Sequence, residues 1–192
     1  NFDFDFVAVT GDLSQDYSLR SYEHFAQKIA RLQKPVFFLP GNHDDGPLMY
    51  RIFDKLGVNI AKNVITPKWQ YIFLNSEVYA VAHGWILRDQ LDYAAYCAHR
   101  SPSQHVCILV HHLPLLVGSR WLDTQTMHNS DEFNTYIHRI NNVRAIVSGH
   151  IHQEYDETIR DVRYIATPST SMQFTPRAVK FSLDYLSPGW RY

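Results

Sequence analysis

The stretch RAIVSGHIHQE, Arg144 to Glu154, decides how the chain is read. It opens as a short apolar run of strand character, turns at Gly149, and then presents His150 and His152 one residue apart. Side chains in an extended segment repeat every second residue, whereas on a helix these two would diverge, so an extended backbone is expected to aim both imidazoles at one point. Histidine is both a common metal ligand and a proton carrier near neutral pH. Taken alone, a His-rich strand end explains the pattern equally well, and the decision falls to the rest of the chain.

Working outward, strands and helices alternate. FVAVTGD is a strand running into a turn, and LRSYEHFAQKIARL carries Tyr22, Phe25, Ala26, Ile29 and Leu32 at helical spacing. Val36–Leu39 is a second strand, followed by a helix from Pro47 to the stop at Gly57. The pattern continues with the strand YIFLNS, the helix RDQLDYAAYCAHR, the strand HVCILVHH, the helix SDEFNTYIHRI and the strand RAIVSGH. From Gln153 the helices cease: EYDETIRDVRYIAT reads as a hairpin turning at Arg160 and Asp161, and AVKFSLDYL as a later strand. No linker, repeat or low-complexity tract divides this α/β arrangement, so residues 1–192 are expected to form one domain.

Four strand ends carry polar clusters: Gly11-Asp12, Asn42-His43-Asp44, His111-His112 and His150-x-His152. Each has an ordinary explanation as a turn, a cap or a satisfied histidine pair. All four in order, each after an apolar strand, are better explained by a common site, because ligands of open α/β sheets bind beyond the carboxyl ends of the strands. Carboxylate, carboxamide and imidazole donors without thiolates suit Mn, Fe, Zn and related ions rather than a Cys-rich structural zinc. Asp12 has two oxygens and can bridge two ions, and Asn42 offers a neutral carbonyl oxygen. Glycines 11, 41 and 149 let the backbone turn so that the next side chain faces inward. Two metals a few ångströms apart generate hydroxide near neutral pH and stabilise a pentacoordinate phosphorus. His43, without binding metal, can then donate a proton to the leaving oxygen.

Composition bounds the alternatives. The 192 residues have a formal net charge of -1, 45% hydrophobic and 14% aromatic content, and no basic run that would announce nucleic acid or an anionic membrane. The two cysteines, Cys97 and Cys107, form no disulfide framework and suit a reducing cytoplasm. No apolar run reaches the length of a membrane span, and NFDFDFVAV resembles neither a signal nor a transit peptide.

The ordered set GD, GNHD, HH and GHxH resembles the calcineurin-like metallophosphoesterases. TGDLSQD, LPGNHD, SRWLD, GHIHQE, ATPSTSMQF and PGWR are similar to the bacterial class III 3′,5′-cyclic AMP phosphodiesterases, across almost the whole chain. The resemblance implies a four-layer αββα sandwich and hydrolysis of 3′,5′-cyclic AMP to 5′-AMP by a metal-bridging hydroxide, with two ions, Fe and/or Mn, and Zn or Co as substitutes. It implies Asp12 as the bridging ligand, Asn42 and His150 on one metal, His152 on the other, and His43 as the acid. Asn42, His43 and His152 are expected to touch the substrate. The family's His-x-Pro pattern selects His112 as the remaining ligand, with His111 as the fallback because strand alternation sends the two neighbours to opposite faces. Another small phosphoester or a glycerophosphodiester is the alternative substrate, and a metal-poor nucleotide-binding domain the alternative function.

One departure stands out. The family's opening Asp-x-His is absent, Asp3-Phe4-Asp5 is not a substitute, and the chain is expected to be an internal piece of a longer protein lacking its first strand and C-terminal end. Asp16 and Asp44 are read as loop and cap groups. His24, His99, His105, His128 and His138 are read as surface or helix-face residues. His83, Trp121, Asp123, Thr167, Ser169 and Thr170 are candidates for the rim of the site.

Overall fold

The computed structural model describes residues 3–192. Strand β1 (Val7–Val9) pairs in parallel with β2 (Val36–Phe38) as a small sheet. Six further strands, β3 (Asn63–Ile65), β4 (Trp69–Phe73), β5 (His105–Leu109), β6 (Val143–Ser148), β7 (Tyr155–Ile159) and β8 (Val162–Ala166), form a second sheet. Its order is β3-β4-β5-β6-β8-β7, with β4, β5, β6 and β8 parallel and the two edge strands antiparallel.

Helix α1 (Leu19–Ile29) starts where the Ser18 side chain accepts the Ser21 N–H, and α2 (Gly46–Lys55) where Asp45 accepts the Leu48 N–H, with Pro47 in the first turn. Helices α3 (Arg88–Arg100) and α4 (Ser130–Ile137) complete the set.

Strand alternation produces the layers. On β2, Phe38 packs with Tyr22, Met49 and Phe53 under α1 and α2. Phe37, and Leu39 just beyond the strand, turn the other way onto Phe73, Cys107 and Leu109 of the large sheet. On β5, Val106 and Ile108 face the opposite side, where Leu91 of α3 and Phe133 of α4 close over them. The result is the expected four-layer αββα sandwich, and both sheets are covered on both faces, which is why their central strands are continuously apolar rather than alternating.

The hairpin turns at Arg160 and Asp161 as the sequence indicates, both in the left-handed region (φ 48° and 65°) that a two-residue hairpin turn requires. Other boundaries differ. The short edge strand β3 has too few residues to declare itself, and AVKFSLDYL supplies only β10 (Leu183–Asp184), paired with β9 (Gln173–Phe174). Among the described residues no helix is long and apolar enough to cross a membrane.

Phe53 is 0% exposed and packs edge-on to both Tyr22 and Phe38. Phe53→Ala should lower the unfolding free energy by about 3–5 kcal/mol in denaturant titrations. Tyr185→Ala, at a side chain open to solvent, should change it by less than about 0.5 kcal/mol.

Candidate metal centre

The carboxyl ends of β1, β2, β5 and β6 meet at one edge. After β1 the chain passes through Gly11 (φ +100°) and Asp12 (φ 56°), reversing sharply. Gly41 lies against this turn: a Cβ there would fall 2.2 Å from Asp12 Oδ1 and 2.6 Å from His111 Cε1. Asp12 Oδ1 accepts the His43 backbone N–H at 3.0 Å.

His111 is held from behind. Its Nδ1 lies 2.6 Å from the Thr10 carbonyl. A carbonyl only accepts, so Nδ1 carries the hydrogen and, in the neutral ring, Nε2 presents a lone pair. That Nε2 faces Asn42 Oδ1 at 3.1 Å, His150 Nδ1 at 3.3 Å and Asp12 Oδ1 at 3.5 Å. His150 Nδ1 in turn lies 2.9 Å from the same Asn42 oxygen. A carboxylate oxygen, an amide oxygen and an imidazole lone pair thus converge with His150, a donor set suited to a divalent cation.

His112 lies beside them, with a ring nitrogen within 4.8 Å of those of His111 and His150, but it has partners of its own. Its Nε2 faces the Ala82 carbonyl at 3.3 Å and must donate to it, while its Nδ1 meets the Ser76 hydroxyl at 2.8 Å. The ring packs 4.6 Å from that of His150, but both nitrogens are engaged by other groups. Of the two neighbours, His111 is the one whose Nε2 faces Asp12, while His112 offers a ring nitrogen to the same histidine group. The alternation argument identified opposite faces properly; only the packing of the two sheets shows which face meets Asp12.

The extended backbone expected for His150 and His152 is corrected. Strand β6 ends at Ser148, and both histidines adopt left-handed φ values, 62° and 48°. Asp12, His150 and His152 are all non-glycine residues in this costly region, the kind of backbone strain that collects at functional sites. His152 stacks flat on Phe174, ring centroids 4.2 Å apart. Two buried nitrogens, His150 Nε2 and His152 Nδ1, make no hydrogen bond of good geometry among the described residues, with the Gln125 and Met172 backbones their neighbours. An unpaired buried polar atom is costly, and a bound ion would satisfy it.

Charge states agree with that fit. Burial drives the His150 imidazole down to about 3, reinforced by neighbouring His111 and opposed by Asp12. Burial likewise lowers His152, and lowers His112 well below its ordinary value. For Asp12, burial pushes upward, but His111 and the His43 N–H outweigh it and the carboxyl ends lowered. Neutral imidazoles beside a carboxylate are the protonation states that bind metal.

Asp44 has a larger part than the sequence indicated. It is completely buried, and Oδ2 accepts the N–H groups of Gly41 (2.9 Å) and Leu13 (3.1 Å) while Oδ1 accepts that of Ser14 (2.9 Å). It joins the loops after β1 and β2, whereas the cap of α2 is its neighbour Asp45. Burial raises its carboxyl, against those three N–H bonds. Asp16 bonds locally to Ser14 and Ser18. Asp123 accepts the N–H groups of Val117 and Gly118, while Trp121 packs with Phe174 and Phe181. His83 stacks on His128 at 3.7 Å, and Thr167 reaches Thr10 across the sheet ends.

Residues 1–154 match the family described as calcineurin-like phosphoesterase. The chain belongs to that family, whose members use divalent metal ions. It is 41% identical over 190 residues to the 3′,5′-cyclic adenosine monophosphate phosphodiesterase CpdA of Escherichia coli K12, covering 98% of this chain and 69% of that one. The protein of the same description from Vibrio vulnificus is 42% identical over 190 residues, with the same coverage of 98% and 69%. Among solved structures, TT1561 of Thermus thermophilus superposes with a TM-score of 0.58 at 17% identity, covering 94% of this chain and 85% of that one, a likeness of fold.

Gly41→Ala should destabilise the protein by about 1–3 kcal/mol, because the added methyl collides with the Asp12 backbone nitrogen and the buried His111 ring as well as with Asp12 Oδ1. Elemental analysis should show reduced metal uptake by this variant, and unchanged uptake would mean that the Asp12 turn and His111 do not set the site.

Proposed function

We propose that this protein is a metal-dependent phosphodiesterase that hydrolyses 3′,5′-cyclic AMP to 5′-AMP. The observation that carries this reading is identity of 39–42% to cyclic AMP phosphodiesterases over nearly the whole chain. The convergence of Asp12, Asn42, His111 and His150 at the strand ends supports it.

Asp12, Asn42, His111 and His150 would hold one ion, and Asp12 with His152 a second; the oxygen and nitrogen donors favour Fe or Mn, with Zn or Co as substitutes. Ions bound there lower the pKa of water and neutralise charge on a phosphoryl group. The chain's own residues contribute orientation and hydrogen bonds. The Thr10 carbonyl fixes the His111 tautomer, and Asp44 holds the two loops in register. Asn42, His43 and His152 contact the phosphate, and His43 assists departure of the ribose 3′ oxygen. The small-molecule substrate, the balanced charge and the buried free cysteines Cys97 and Cys107 accord with a cytoplasmic enzyme acting on neither nucleic acid nor membrane.

The test is hydrolysis of cyclic AMP by the Mn(II)-loaded protein, with glycerophosphodiesters as competitors. Faster turnover of a glycerophosphodiester would replace the substrate, and metal-loaded protein that binds cyclic AMP without turnover would replace the enzyme with a binding domain. Asp12→Ala and Asn42→Ala should each reduce kcat by at least about a hundredfold while far-UV circular dichroism stays native.

His111→Ala should lose bound metal together with activity. His112→Ala, which removes packing and the hydrogen bonds to Ser76 and the Ala82 carbonyl, should retain more metal than His111→Ala and lose about 10–100-fold in activity at most. Greater metal loss in His112→Ala would restore the other ligand assignment.

A further inference from the structure

Gln15 stands beside His43, its Nε2 lying 3.1 Å from the His43 Nδ1. Both flanks of Gln15 are fixed. On one side Asp44 accepts the N–H groups of Leu13 and Ser14, and on the other the Tyr17 hydroxyl donates to the Asn42 carbonyl at 3.0 Å. The loop therefore presents Gln15 to His43 from a backbone anchored to the same strand-end turn that carries Asn42 and His43. The adjacent carboxylate, Asp16, is committed to the Ser14 hydroxyl and the Ser18 N–H. A neutral amide, rather than the nearby acid, occupies the position at Nδ1.

An amide nitrogen can only donate, so Nδ1 of His43 accepts and the neutral ring carries its hydrogen on Nε2, on the opposite side from Gln15. We propose that Gln15 is a positioning residue: it holds His43 in the Nε2–H tautomer so that this hydrogen is offered to the departing oxygen of the phosphodiester.

The proposal rests on the phosphodiesterase reading above and deepens it. Hydrolysis adds one water across the P–O bond: the water oxygen bonds to phosphorus, the P–O3′ bond breaks with its electron pair on O3′, and a proton from the water ends on O3′. His43 keeps its own proton and stabilises the growing negative charge by a hydrogen bond, a donor's role in place of the proton-giving acid that the family resemblance implies. An aliphatic alkoxide such as the ribose 3′ oxygen requires that help far more than an aryloxide does. Gln15 therefore matters for alkyl diesters and little for aryl ones.

The experiment compares wild type, Gln15→Leu and Gln15→Glu on cyclic AMP and on bis(p-nitrophenyl) phosphate. Leucine removes the donor at similar size, and glutamate can only accept, which moves the hydrogen of the neutral ring to Nδ1. Both variants should lower the ratio of kcat for cyclic AMP to kcat for the aryl diester by about tenfold, with KM for cyclic AMP within about threefold of wild type. In the His43→Ala background Gln15→Leu should add no further loss. The 15N shifts of the His43 ring should place the hydrogen on Nε2 in wild type and lose that preference in Gln15→Leu.

Equal losses on both substrates, or additive losses with His43→Ala, would overturn the role, as would a His43 tautomer indifferent to Gln15. Failure of wild type to hydrolyse cyclic AMP would instead overturn the substrate reading, and the same ratio would then be read on whichever alkyl phosphodiester the wild-type protein does cleave.

Discussion

The hydrogen bond from His111 to the Thr10 carbonyl is the contact on which the site depends. It joins the end of β5 in the large sheet to the end of β1 in the small one, at 2.6 Å. Without it the two sheets would still pack through Phe37, Leu39, Phe73 and Leu109, but apolar contact is non-directional and would not fix which imidazole nitrogen faces Asp12. The bond does so by assigning the hydrogen to Nδ1. The distances to Asn42, His150 and Asp12 are measured from the lone pair that this leaves at Nε2.

The rest of the edge stores cost. Asp12, His150 and His152 occupy left-handed backbone, two buried ring nitrogens make no hydrogen bond of good geometry among the described residues, and a fully buried carboxylate, Asp44, stands within the same loops. Such features persist only where the surroundings over-determine them. Here the surroundings are four layers of apolar packing, with Tyr22, Phe53, Ile108 and Phe133 all completely buried. Stability is supplied by the layers, and the strand ends use part of it to hold donor atoms that would otherwise separate or be hydrated.

Much of this is legible in the sequence. The apolar runs at Val36–Leu39 and Val106–Val110 mark strands covered on both faces, and the polar groups that follow them mark one edge. Asp12, Asn42 and His150 could be selected because each directly follows a glycine at such an end. Asp44 could not be weighted correctly, since an aspartate before a helix reads as a cap, and the true cap is one residue later. Gln15 carried no signal at all, because a glutamine in a polar loop gains meaning only from what lies across from it.

The sequence by itself determined the alternation of elements, their burial, the four polar strand ends and the family resemblance, because those follow from local periodicity and from residue types in order. Tertiary structure decided which of His111 and His112 faces Asp12, and how His150 and His152 reach the site from a turn instead of a strand. Neighbouring residues on a strand point to opposite faces by local geometry, but which face meets the second sheet depends on how the two sheets dock.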